Sequence, residues 1–146
     1  VRWSYYDSDG RRVSNAWKQL LYEGTMFWYH FGADGYMDTG WFKDADGNWY
    51  YLNPASDGTQ GAMKTGWFKD TDGNWYYLNP VSDGMRGAMK TGWFKDVDGN
   101  WYYLNPVSDG TKGAMKTGWF TDPQDGHLYY LDLKTGAMVT GRKHTE

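Results

Sequence analysis

The chain has 146 residues, a formal net charge of −3 and no cysteine, which excludes disulfides and thiolate metal sites and leaves no basic stripe for nucleic acid. No apolar run is long enough to span a membrane as a helix. Ile is absent, whereas 10 Trp and 13 Tyr help bring the aromatic share to 20%, so a core is expected to be made of indole and phenol rings whose polar tips want partners or water.

The mean hydropathy is −0.84, yet disorder is not expected of a chain so rich in aromatic rings. No signal peptide is visible, and the chain opens inside a repeat-like pattern, as expected of a piece of a longer protein.

Residues 1–16 read as a worn, partial repeat. Trp3 stands in the place of Trp49 of the regular pattern, and Trp17 in the place of a Gly-Trp tryptophan, with Ser4 and Arg12 replacing an aromatic residue and a methionine. Residues 17–38 form a divergent repeat. Trp17 and Trp28 are 11 apart rather than 8, which predicts a longer turn around Glu23-Gly24.

Three regular copies follow without a gap, at 39–64, 65–90 and 91–116, and 22 of their 26 positions are identical in all three. The variable positions are Ala45/Thr71/Val97, Ala55/Val81/Val107, Thr59/Met85/Thr111 and Gln60/Arg86/Lys112. A fixed period of this size marks a repeat architecture, in which each unit stacks on its neighbours.

Within a copy, Gly40–Lys43 is a short strand and Asp44–Gly47 a turn. The aromatic run Asn48–Asn53 is the second strand, and Pro54 ends it. Ser56–Gly61 is a second turn region. Each repeat is thus a β-hairpin plus a connection. A lone hairpin is marginal in water, so the hairpins must stack.

Residues 117–146 read as the C-terminal capping repeat. Trp119 is kept, PQDG lengthens the turn by one residue, and Leu128 stands where Trp101 would be. The connection LDLKTGAMVTG is shorter than in the regular copies. Arg142 takes the place of the next Gly-Trp tryptophan and opens the polar tail RKHTE.

Catalytic chemistry finds little support. His30, His127 and His144 share no motif, and the carboxylates read as turn formers. The run Asp44-x-Asp46-Gly47-Asn48 lacks the spacing and the distant Glu of a calcium loop. No catalytic residue, metal or cofactor is assigned. The tryptophans are more informative: Trp is seldom fully buried, and repeated rings left partly open at repeat junctions would make boxes for sugars or for quaternary ammonium groups.

The pattern TGW…GNWYYLN…GAMKTGW closely resembles the choline-binding repeat family, the cell-wall-binding modules of pneumococcal and phage lysins and surface proteins. The likeness covers essentially the whole chain. It implies an all-β fold, a left-handed superhelical solenoid of stacked hairpins, with choline held between consecutive hairpins. Carried over by position, one site is Trp41, Trp49, Met63 and Tyr76. A second is Trp67, Trp75, Met89 and Tyr102, and a third is Trp93, Trp101, Met115 and Tyr129. A front site is Trp17, Trp28, Met37 and Tyr50, with altered geometry from the longer turn. No full site is expected after Trp119. No carboxylate is expected near each box, and its absence is compatible with choline, since ring faces alone can attract a cation.

The resemblance implies a non-catalytic, secreted module bound to the bacterial cell wall through choline or phosphocholine on teichoic or lipoteichoic acid. It implies no nucleic-acid partner, and it leaves room for a homodimer and for an attached hydrolase or adhesin domain. A glucan-binding module, as in related repeats of glucosyltransferases and toxins, is the alternative. The Gly-Trp opening, the second Trp eight residues on and the Met argue for choline.

Overall fold

The computed structural model describes residues 2–139, and all its regular elements are strands. Arg142 and the RKHTE tail with His144 lie outside the described residues. The strands form five two-stranded antiparallel sheets, one per hairpin. They are β1 (Ala16–Tyr22) with β2 (Thr25–Phe31), β3 (Gly40–Lys43) with β4 (Trp49–Leu52), β5 (Gly66–Lys69) with β6 (Trp75–Leu78), β7 (Gly92–Lys95) with β8 (Trp101–Leu104), and β9 (Gly118–Thr121) with β10 (Leu128–Leu131). No helix among the described residues is long and apolar enough to cross a membrane.

The aspartates close the regular hairpins. Asp46 accepts the Asn48 backbone N–H at 2.8 Å, and Asp44 accepts that of Ala45 at 2.9 Å. Gly47 supplies φ 87°, which an L side chain rarely adopts. The resulting register sets Trp41 opposite Tyr51 and Phe42 opposite Tyr50. Successive side chains alternate faces, so the two tyrosines of WYYL serve different neighbours.

The front hairpin departs from the expectation of a longer turn. Tyr22 pairs directly with Thr25, and the turn between them is only Glu23 (φ 47°) and Gly24 (φ 83°). Positive φ at both central residues is the tight hairpin turn whose twist matches the strands. The extra residues lengthen the strands to seven each, where their backbone groups join the ladder.

In this hairpin His30 takes the place of a WYYL tyrosine, facing Trp17 as Tyr51 faces Trp41. Asp38 stands where regular copies have lysine, and its carboxylate lies 2.7 Å from His30 Nδ1. His30 is buried, so the paired exchange of Tyr and Lys for His and Asp gives the buried ring nitrogen a partner.

The core differs from an all-aromatic one. Its fully buried side chains are Leu52, Leu78, Leu104 and Leu131, the last residue of each WYYL-type strand. Leu52, Leu78 and Leu104 bridge to Met63, Met89 and Met115, and Leu131 to Met138. The aliphatic residues are few, but the repeat spends them where a compact side chain can be wholly enclosed. Tyrosines and alanines make up most of the other buried apolar side chains, and the larger Trp rings stay partly open.

The long connections are ordered by buried amides. Asn53 donates to Asp57 Oδ1 and to Thr59 Oγ1, both at 3.0 Å, and its own Oδ1 accepts the Ala55 N–H. Asn105 repeats the arrangement, and Asn79 does so with the Met85 backbone carbonyl as acceptor in place of the threonine hydroxyl. Satisfying a buried amide on several sides fixes the loop around it.

The contacts divide the chain into two compact units. One runs as far as Gly66 and adds Leu78–Met89; the other takes Trp67–Tyr77 and the chain from Lys90 onward. In the first, β1–β2 packs on β3–β4 through Phe42, whose ring lies 4.1 Å from His30 and 5.9 Å from Trp17. In the second, Phe94 packs under Trp67 and Tyr77, and Phe120 under Trp93 and Tyr103.

Candidate ligand-binding site

The first unit holds a cavity of about 460 Å³ lined by Trp17, Trp28, Tyr50 and Met63, together with Asp44 and Asp46. Strand β1 delivers Trp17 and β2 delivers Trp28. Tyr50 comes from the next hairpin, where it meets Trp17 edge-to-face at 5.1 Å. Met63 follows that second hairpin and is pinned by its backbone N–H, which donates to the Trp28 carbonyl at 2.8 Å.

The carboxylates orient the rings. The Trp17 indole N–H donates to Asp44 Oδ2, and the Tyr50 hydroxyl donates to Asp46 Oδ2, each at 2.8 Å. Aspartates that close the hairpin turn with one oxygen thus hold a cavity wall with the other.

The second unit repeats this construction. A cavity of about 320 Å³ is lined by Trp67, Trp75, Tyr102 and Met115 with Asp96 and Asp98. Trp67 meets Tyr102 at 5.1 Å and donates to Asp96 at 2.8 Å. Tyr102 donates to Asp98 at 2.7 Å, and Met115 N–H donates to the Trp75 carbonyl. One hairpin further on, Trp93 meets Tyr129 at 4.9 Å and donates to Asp122, while Met138 N–H donates to the Trp101 carbonyl.

The chemistry of these walls is uniform. Burial first, and then the hydrogen bond to Asp98, pushes the Tyr102 hydroxyl up to about 12. Tyr50 and Tyr76 are raised to about 12 by burial and by Asp46 and Asp72 respectively. In return the Tyr102 hydroxyl and the Asn100 backbone N–H hold Asp98 below the usual carboxylate range. Each box therefore keeps neutral rings and an ionised carboxylate. Electron-rich ring faces around a gap, backed by negative charge, suit an organic cation.

The structure brings some of the expected side chains together and separates others. Trp17, Trp28 and Tyr50 converge, and so do Trp67, Trp75 and Tyr102; the first WYYL tyrosine is the one that lines the cavity. The methionines are regrouped. Met63 joins the Trp17 cavity where Met37 was expected, and Met115 joins the Trp67 cavity where Met89 was expected. Met89 lies instead against Trp49, its N–H donating to that carbonyl, and Met138 replaces Met115 beside Trp101. The Met following one hairpin packs back against the Trp of the hairpin before. Trp41 packs at 5.1 Å against Tyr51 of its own hairpin.

The carboxylates correct a second expectation, that none would stand near the rings. A third finding was missed. Trp3, Tyr29 and Met37 line a further cavity of about 630 Å³, and Met37 N–H donates to the Trp3 carbonyl as Met63 does to Trp28. The overlay of Trp3 on Trp49 was the signal for it. At the other end, Trp119 and Leu128 are both exposed.

A choline-binding repeat model matches residues 24–60, and a cell wall binding repeat model matches residues 65–80, 91–106 and 117–138. The chain belongs to the choline-binding repeat family. Choline binding protein F from Streptococcus pneumoniae, solved with a peptidoglycan analogue, is 40% identical over 95% of this chain, with a TM-score of 0.73. CbpJ from Streptococcus pneumoniae TIGR4 is 37% identical over 94% of it, with a TM-score of 0.72. The choline-binding repeat array spans 38% of the first of those chains and 39% of the second. No curated protein sequence matches it.

Proposed function

We propose that this array is the non-catalytic targeting segment of a larger, secreted bacterial surface protein, holding it to choline or phosphocholine groups on wall teichoic or lipoteichoic acid. The observation that carries the reading is the recurrence of one box, two Trp, a Tyr and a Met backed by two aspartates, in both compact units. The likeness to choline binding protein F and CbpJ supports it.

The sets Trp17/Trp28/Tyr50/Met63, Trp67/Trp75/Tyr102/Met115 and Trp93/Trp101/Tyr129/Met138 are carried forward as choline sites with the methionines regrouped, and Trp41 and Trp49 are carried forward as choline-binding rings with Met89 beside them. Each site alone is weak, because a cation–π contact contributes only about 0.5–2 kcal/mol. Several sites meeting one polymer gain by avidity.

The glucan reading is not favoured. A neutral sugar gains no charge–charge attraction from the ionised Asp46 or Asp98 behind the rings, whereas a quaternary ammonium group does. Retention on a tertiary-amine resin in high salt, with elution by free choline, is the expected result. Retention on dextran that choline does not disturb would overturn the choline reading.

A further inference from the structure

Each of the two boxes has one wall that the aromatic repeat does not explain. In the Trp17 cavity that wall is Ser82, Gly84 and Arg86, from the connection two hairpins further on. This loop is docked, since the Asn48 side-chain amide lies 3.8 Å from Met85 Sδ, and Gly87 sits directly against Met63. In the Trp67 cavity the same wall is Lys134 and Thr135, again from two hairpins on.

The two loops differ in length, and their basic residues do not align. Counting back from the methionine, Arg86 precedes it by three positions and Lys134 by four. A cation on this wall is therefore not a by-product of copying one repeat. A cation is also the wrong group for a box that takes choline alone, because like charges repel. Each cavity is dipolar: carboxylates lie behind the rings, and a guanidinium or ammonium stands on the loop wall.

We propose that the loop wall is a phosphate subsite, so that these boxes recognise the phosphocholine zwitterion rather than the choline cation alone. The trimethylammonium head sits among Trp17, Trp28 and Tyr50, and the phosphate reaches Arg86 with Ser82 beside it, 3.5 Å from Arg86 Nη1. In the second box Lys134 and Thr135 do the same work. At the repeat position of Arg86 the preceding copy carries Gln60, which leaves the Trp3 cavity neutral there. This inference rests on the choline reading given above.

The test is a titration of the whole 146-residue chain with choline and separately with phosphocholine, at low salt. The indole N–H resonances of Trp17 and Trp67 report the two boxes. Arg86 is exposed, so the expected preference for phosphocholine is modest, about two- to fivefold, and fades as salt rises. Arg86→Gln should abolish it at Trp17 only, with choline binding there unchanged or stronger; Lys134→Gln should do so at Trp67 only.

The proposal is overturned if the unaltered chain shows no preference while binding choline. It is equally overturned if the preference survives Arg86→Gln, or if both ligands weaken together, which a merely structural Arg86 would give. Failure of both ligands to move either resonance would instead bring down the choline reading, and this inference with it. Phosphatidylcholine vesicles present the same head group; if they retained the chain, its source would move from wall polymer to membrane while the subsite stood.

Discussion

The Trp17 indole N–H donates to Asp44 Oδ2 at 2.8 Å, joining one hairpin to the next across 27 positions. The same bond recurs from Trp67 to Asp96 and from Trp93 to Asp122 at the same length. One carboxylate thus closes a turn, fixes the angle of a cavity wall and staples two repeats. Stability and ligand binding share this group, and its removal should affect both.

Asp96→Ala should lower stability by about 1.5–3 kcal/mol, the usual worth of a hydrogen bond to a charged group. Thermal unfolding measures that loss. The Trp67 indole N–H resonance should shift in the same variant, and choline should bind its box more weakly. An unchanged melting curve and an unchanged resonance would show that the bond contributes nothing in solution.

Trp75→Ala separates the ring from the scaffold. Its side chain is 40% exposed, whereas its carbonyl, which anchors Met115, survives the substitution. Choline affinity at the Trp67 box should fall about two- to fivefold, the loss of one cation–π face. The Trp17 box, built from other residues, should titrate as before, and the melting midpoint should move little. A large fall in midpoint would assign Trp75 to the core instead.

Alkaline pH should open the array in a defined window. Tyr50, Tyr76 and Tyr102 are raised from the ordinary value near 10 to about 12, by burial first and by their aspartate partners second. A group raised on folding stabilises fully below its unfolded value, and that stability is lost as the pH climbs towards the folded one. Tyrosinate absorbance and loss of the folded signal should therefore rise together between about pH 10 and 12. Ionisation of these tyrosines near 10 in the still-folded chain would contradict the burial described here.

Gly87→Ala tests the coupling between loop and box. Gly87 holds φ +88°, and an added Cβ would run into the Met63 sulfur. The substitution should cost about 1–3 kcal/mol for a non-glycine residue held in the left-handed region. Because Met63 lines the Trp17 cavity, choline affinity should fall there more than at the Trp67 box. Equal losses at both would mean that the effect is general unfolding.

Much of the site was legible from the residues. Gly40–Lys43 and Trp49–Leu52 are strands because an Asp-x-Asp-Gly turn lies between two aromatic runs. The choice of Tyr50 over Tyr51 came from the family resemblance, and alternation along β4 explains why only one of them faces the cavity. The front turn was misread because a spacing of 11 between Trp17 and Trp28 counts residues without saying whether they pair. Tyr22 and Thr25 joined the ladder once Glu23 and Gly24 could turn with positive φ.

The sequence by itself determined the period, the hairpin in each period and the kinds of side chain that form a box, because these depend on local turn chemistry and on alternation along a strand. Only the tertiary structure decided which copy supplies each part. Met37, Met63, Met89 and Met115 occupy equivalent positions in successive repeats, so spacing cannot say which of them closes the Trp17 box. The stacking of successive hairpins decides, by bringing Met63 and the Arg86 loop back over Trp28. It also reveals the second use of Asp44, whose role in its own turn is complete without Trp17 and gives no local sign of the bond it makes to the repeat before.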